Sequence, residues 1–334
     1  MGEVIATREA YGRALCEFGA DENIMVFDAD LTICTMSCYF AQKYPERFFN
    51  AGIAECNMAG MAAGAASCGK TAFIHTFAMF AAGRIYDQVR NSIAYPGLNV
   101  KVVGTHAGLS VGEDGATHQC IEDLSLMRTI PGMTVICPCD ANETREVVKA
   151  MIDYDGPCYL RLGRSGVENI TDSIPGYKFE LGKGAQLKDG DDVTIIATGL
   201  MVQEALKAAD LLAAEGIKAR VIDLHTIKPI DKDIIIKAAK ETGAIVTTEE
   251  HNVIGGLGAA VAEVVTESCP VPVVKHGVED VFGHSGTAEA LMVKYGLTPE
   301  KIVEKAKQAI ALKNKLQTII QSTKATAKEK LLWT

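Results

Sequence analysis

Several things are missing from this chain, and each absence removes a class of function. No apolar run approaches the ~18 residues that a membrane span needs, so no contact with a membrane is expected. A basic surplus is missing too: 33 Lys and Arg face 42 Asp and Glu, a net charge of -9 with no basic stripe to offset it. A nucleic-acid partner is therefore not expected. The opening MGEVIATREAYGRAL lacks a basic flank followed by an apolar core, so it does not read as a secretory leader. Met1-Gly2 is followed by Ala6 where myristoylation needs Ser or Thr. Dinucleotide and P-loop fingerprints are absent. Ile254-Gly-Gly-Leu-Gly258 comes nearest, but its spacing reads as a tight turn into a helix over 260–267.

Cysteine is not scarce, yet metal-site spacing is. Of ten cysteines the closest pair is Cys137-Pro-Cys139, with no second such pair or neighbouring His beside it, so no metal is expected there. Cys16, Cys68, Cys158 and Cys269 sit singly in apolar segments, which suits reduced thiols and a cytoplasmic protein.

What is present describes a globular α/β protein. Hydrophobic residues make up 48% and charged residues 22% of 334, enough for two ordinary domains. Apolar strand-like runs at 23–27, 71–76, 100–104, 134–137 and 158–162 alternate with helical segments, one expected over 81–94. Asp140-Ala-Asn-Glu143 is a capping box opening a helix through Met151. A Gly-, Asp- and Lys-rich stretch at 165–192 reads as a linker. The alternation then resumes with strands at 193–197, 219–224, 244–247 and 271–274 and helices between them, such as 203–215. The fold class is thus two doubly wound α/β domains with mainly parallel sheets, at 1–175 and 190–312, and 313–334 as a solvated helix or loose tail.

Three segments carry chemistry. In Ala51-Gly-Ile-Ala-Glu55-Cys-Asn-Met58, running on through Ala66, a glutamate enters a helix of small apolar residues. It either faces water or is buried with a partner, because burying a lone carboxylate is costly. Phe77 and Phe80 stand three apart at a strand end, as core or as a stacking wall. Thr105-His106-Ala-Gly-Leu-Ser-Val-Gly-Glu-Asp114-Gly-Ala-Thr-His118-Gln119 follows a strand directly, and a Gly-rich loop with two His and two carboxylates there suits a ligand site.

These segments resemble the pyrimidine-binding domain of transketolases, and the second half resembles their carboxy-terminal domain, from Thr7-Arg8 to about Ile310. The resemblance implies that Glu55 hydrogen-bonds N1′ of the aminopyrimidine of thiamine diphosphate and that Phe77 and Phe80 flank that ring. It places Asp30, in Asp28-Ala-Asp30-Leu, near the cofactor. A third family aromatic, a tyrosine, falls at Gly83, so its wall is missing or supplied by Tyr86. His106, with a catalytic role, Asp114 and His118 hold substrate hydroxyls and the phosphate end. Arg164 and Arg8 match phosphate-binding arginines, and Cys34 stands where the family places a phosphate-binding serine.

The family's G-D-G and later Asn pair, which hold Mg²⁺ and diphosphate, are not found here, and whole transketolases are about twice this length. The resemblance therefore implies an amino-terminal partner subunit that holds the metal and diphosphate, in a heterotetramer with a dimer of this chain at its core. The implied activity is transfer of a two-carbon ketol unit between small-molecule sugars. Three alternatives stay open: a specialised enzyme for sulfonated or otherwise modified sugars, the β subunit of a 2-oxoacid dehydrogenase, and a non-catalytic binding subunit.

Overall fold

The computed structural model describes residues 4–332, with side chains described through 323. The Met1-Gly2 reading and the last two residues of the expected tail lie outside the described residues. In the first half the strands are β1 (Val4–Ala6), β2 (Ile24–Asp28), β3 (Phe48–Asn50), β4 (Thr71–Phe77), β5 (Val100–Thr105), β6 (Thr134–Ile136), β7 (Cys158–Arg161) and β8 (Gly166–Glu168). The second half contributes β9 (Ala185–Lys188), β10 (Val193–Ala197), β11 (Ala219–Asp223), β12 (Thr226–Lys228), β13 (Ile245–Asn252) and β14 (Val273–Val278).

Seven strands form one sheet in the order β12-β6-β7-β5-β4-β2-β3, and five form another in the order β14-β13-β10-β11-β9. Within these two sheets all pairings are parallel except β12 on β6 and β9 on β11, each an antiparallel edge, while β1 and β8 form a separate antiparallel pair. The expected mainly parallel α/β architecture therefore holds. The residues of each strand alternate between two apolar layers, as a pleated strand requires. Val26, Phe73 and Val103 pack with Tyr11, Leu15 and Val147 on one face. Phe27, Ile74 and Val102 pack with Met58, Ala62 and Val89 on the other. That second layer runs on into Ile196, Ile222 and Val261, so the two halves share one core.

The long apolar strands lie within a residue or two of their expected ends, except that β13 runs on to Asn252 and β14 to Val278. The 165–192 stretch is not a bare linker: β8 pairs with β1, and β9 extends the second sheet. One strand crosses the expected domain boundary, since β12 completes the first sheet. The 81–94 segment is wound as two wider π turns, Phe80–Arg84 and Gln88–Ala94. The last helix, Pro299–Leu332, carries mostly exposed side chains from 312 to 323. Asp140 caps the helix Ala141–Asp153 by accepting from the Glu143 amide at 2.8 Å, and Glu143 returns a bond to the Cys139 amide at 2.6 Å. At 254–258 the tight turn is observed, and the Glu249 carboxylate takes the amides of Leu257 and Gly258 at 2.6 and 2.8 Å. The protein's own anion fills that helix start.

A buried arginine, ion-paired within the first half, ties the two halves together. Arg161, at the end of β7, donates Nε to Asp123 Oδ2 at 2.8 Å and Nη2 to the Glu250 carbonyl of β13 at 2.8 Å. The Tyr159 hydroxyl donates to the same Asp123 oxygen at 2.8 Å. Arg161→Leu strands the buried Asp123 charge, and a loss of about 3–5 kcal/mol is expected in urea unfolding. Adding Asp123→Leu should recover a large part of it. A single variant of near-normal stability would show that the pair does not matter.

Candidate functional site

Most predicted residues follow the carboxyl ends of β2, β3, β4, β5 and β7, the edge where parallel sheets bind ligands, and Arg8 joins them from the first helix, Thr7–Phe18. Glu55 is the first residue of the helix Glu55–Ser67, where the aligned backbone dipoles favour negative charge. It is 3% exposed, which decides against a solvated face. Its Oε1 accepts Arg84 Nη1 at 2.6 Å. The Arg84 guanidinium lies 4.2 Å from the centre of the Phe80 ring, so it spans carboxylate and aromatic face.

From Phe80 the site continues without a break. The Phe80 and Phe77 rings are 6.0 Å apart and within 13° of parallel. Phe77 stacks on His106 at 4.0 Å, and the His118 ring stands edge-on to Phe80 at 5.4 Å and to Phe77 at 6.2 Å. His106 has φ +55, a conformation uncommon for a residue with a side chain and concentrated at functional loops. The Thr105 hydroxyl lies 2.9 Å from His106 Nδ1 and 3.5 Å from the Thr76 carbonyl, which fixes the ring's orientation.

The 106–119 loop is held from below. Its Ser110 amide donates to Glu250 Oε1 at 2.6 Å. Gly108 has φ +82, and a Cβ there would lie 2.3 Å from the Glu250 carboxyl, so only glycine fits. Gln119 Nε2 donates to the carbonyls of Gly112 and His284 at 3.1 and 3.0 Å, which ties the loop to the second half.

A cationic end adjoins His106. Burial lowers the Arg8 pKa, and the nearby Arg164 guanidinium lowers it further. Arg8 Nη1 donates to the Cys34 carbonyl at 2.6 Å, while its buried Nε has no partner among the described residues. Cys34 is half-buried in the turn that Asp28 shapes by accepting from the Leu31 amide and the Thr35 and Ser37 hydroxyls. Arg164 donates to the Val111 carbonyl and to Glu113 Oε2 at 3.0 Å. Burial first, then the charges of Arg8, Arg164 and His118, lowers the His106 imidazole from 6.5 to about 3. His106 is thus a neutral acceptor among cations, an environment suited to a hydroxylated, anionic ligand.

Two predicted residues stand apart. Asp30 is exposed on the rim and accepts from Asn50 Nδ2 at 3.2 Å. Asp114 is exposed and makes no side-chain hydrogen bond among the described residues. Tyr86 turns to Thr129 at 3.3 Å and does not replace the tyrosine expected at Gly83. The residue missed in the sequence is Arg84, which follows Gly83 and lies one helical turn beyond Phe80.

The phenylalanine rings and the buried Glu55 fit the pyrimidine half of thiamine diphosphate, offering flat apolar faces beside a strong hydrogen-bond acceptor. A different set, Cys139, Glu143 and Asp223, brings ligand atoms within 4.8 Å of one another in the core. Burial and the Glu143 charge push Asp223 well above the ordinary carboxyl range. A proton on Asp223 relieves that pairing without a metal.

Comparison with known proteins agrees with this geometry. Residues 3–169 match the family model "Transketolase, pyrimidine binding domain", and residues 182–302 match "Transketolase, C-terminal domain". The chain is 49% identical over 300 residues to a protein of Methanocaldococcus jannaschii provisionally named as a transketolase C-terminal section, covering 89% of this chain and 94% of that one. It is 45% identical over 308 residues to the 6-deoxy-6-sulfo-D-fructose transketolase subunit SqwH of a Clostridium species, covering 92% and 95%. A solved structure described as a split gene transketolase, inactive beta4 tetramer, superposes with a TM-score of 0.86 at 54% identity, covering 92% of this chain and 99% of that one.

The electrostatics of His106 are directly measurable. Its folded pKa is depressed from 6.5 to about 3, so the stability it contributes is present above pH 6.5 and is lost as pH falls toward 3. The His106 ring signal in NMR should keep its neutral position from pH 7.5 down to 5. A midpoint near 6.5 would show that the ring is not enclosed among the arginines.

Proposed function

Because this chain belongs to the transketolase family, we propose that it is the carboxy-terminal subunit of a split enzyme transferring a two-carbon ketol unit from a ketose to an aldose. The observation that carries this reading is the unbroken run from the buried Glu55, across Phe80 and Phe77, to His106 and the Arg8–Arg164 end. It has an acid at one end, flat rings in the middle and an anion-binding end beyond. In this reading residues 1–175 form the cofactor-facing domain and 190–312 the second domain, and the complex is a cytoplasmic heterotetramer.

Thiamine diphosphate, with Mg²⁺ held by the amino-terminal partner, supplies the electron sink for breaking and remaking the carbon–carbon bond. Glu55 binds the pyrimidine ring nitrogen and handles its proton, while Phe77 and Phe80 fix the ring plane. Asp30 lines the cofactor's rim. His106 accepts a hydrogen bond from a substrate hydroxyl and orients the sugar. His118 and Asp114 hold further hydroxyls as the loop meets the partner. Arg8 and Arg164 receive the terminal anion, since guanidinium groups offer paired donors and permanent charge.

A phosphate terminus is the reading we adopt. The sulfonated-sugar alternative draws support from the name of the 45% identical Clostridium relative and from Cys34 in place of serine. A thiol is a weaker donor than a hydroxyl, and the Cys34 carbonyl already engages Arg8. A 2-oxoacid dehydrogenase role suits the 106–119 loop less well, because that loop is built for a polyhydroxylated ligand.

Two measurements test the reading. In the complex with its partner, Glu55→Gln should lower kcat by about 10²–10⁴-fold with the fold intact. Near-normal turnover would remove Glu55 from the chemistry. In the same complex Arg164→Ala should raise KM for anionic ketoses by about tenfold and leave kcat largely unchanged. Cys34→Ser should favour phosphorylated over sulfonated ketoses. An unchanged KM for every anionic ketose would place the terminal anion elsewhere.

A further inference from the structure

We propose that Arg84 is a resident stand-in for the cofactor's aminopyrimidine, holding Glu55 in place and competing with the ring for it until the complete enzyme assembles. This inference rests on the function proposed above for Glu55.

The guanidinium is planar, cationic and rich in N–H donors, and it makes the two contacts that a flat nitrogen heterocycle needs at this site. It donates to Glu55 Oε1 at 2.6 Å, and it covers the Phe80 face at 4.2 Å. A carboxylate oxygen with a charged donor at that distance cannot offer the same lone pair to a ring nitrogen. Likewise, a ring face covered by a guanidinium cannot receive a pyrimidine. The two occupants compete for the Phe80 face and for Glu55 Oε1.

The pair is built asymmetrically. The Glu55 side chain is 4% exposed and the Arg84 side chain 46%. A buried carboxylate left alone would be costly, so the chain needs a counter-ion there. The counter-ion chosen is half in water and, apart from its contact with the Phe80 ring, makes no other side-chain hydrogen bond or ion pair among the described residues, so it can leave. A cavity of about 390 Å³, lined by Phe80, Arg84, Gln119, Glu122 and Phe282, opens directly next to it. Glu122 offers a second carboxylate within that cavity. Arg84 can thus turn from Glu55 toward Glu122 and keep an anionic neighbour.

The test uses the complex of this chain with its amino-terminal partner, with thiamine diphosphate titrated by calorimetry in excess Mg²⁺. Arg84→Met keeps the length and apolar contact but removes the competing charge, and the dissociation constant should fall by about tenfold. Arg84→Lys keeps the charge without the flat stack and should shift it less, in the same direction. An unchanged or raised constant in both variants overturns the proposal, because it would make Arg84 a bystander or a support of the bound state. Glu55→Gln is the control: if it leaves cofactor affinity unchanged, the role of Glu55 and this inference fall together. If Glu55→Gln weakens binding while neither Arg84 variant tightens it, only the stand-in is lost. In the chain alone, a Glu55→Gln and Arg84→Met double-mutant cycle in urea should show coupling, and additive effects would also overturn the proposal.

Discussion

Two opposite charges buried together, Arg161 and Asp123, set the frame on which the site stands. A buried guanidinium must satisfy its donors, and Arg161 does so by gripping Asp123 on one side and the Glu250 carbonyl on the other. That grip fixes β13 against β7. Once Glu250 is fixed, its carboxylate receives the Ser110 amide and fills the space that Gly108 leaves open. The loop carrying His106 and His118 is therefore shaped by a residue of the second half, about 140 positions downstream.

The electrostatics follow from that shape. Folding the loop down buries His106 and brings it close to Arg8 and Arg164, so its pKa is lowered and the imidazole is neutral near neutral pH. At the opposite end Glu55 sits at a helix start and takes a guanidinium. The site is thus polarised, an acid at one end and cations at the other, with apolar rings between. Such an arrangement orients a ligand that is flat at one end and anionic at the other before any contact is optimised.

Much of this was readable in the residues. The long apolar strands announced themselves, and the Asp140–Glu143 cap fixed a helix start. The strands β1, β3, β8, β9 and β12 were not readable, because each lies at a sheet edge or in the two-stranded sheet and lacks the fully buried apolar run that marks the equally short β6 and β7. Glu55 illustrates a different limit. An Ala- and Gly-rich helix has no polar stripe to tell which face is wet, so burial could not be decided before the sheet was assembled. The Cys34 carbonyl takes the Arg8 guanidinium, and such backbone contacts leave no trace in residue identity. Arg84 was missed because an arginine in a helical segment ordinarily faces water, and here it faces Phe80.

The antiparallel pairing of β12 with β6 has a consequence for biogenesis. During synthesis the first seven-stranded sheet keeps an open flank at β6 until residues 226–228 have left the ribosome, some ninety residues after β6 itself. An unpaired strand edge is a template for pairing with other chains. The nascent first half is thus a species that needs shielding, and it closes only when a strand from the later half arrives. A gene cut between the two halves would separate that strand from its sheet, so a lone first half would carry a permanently uncovered flank.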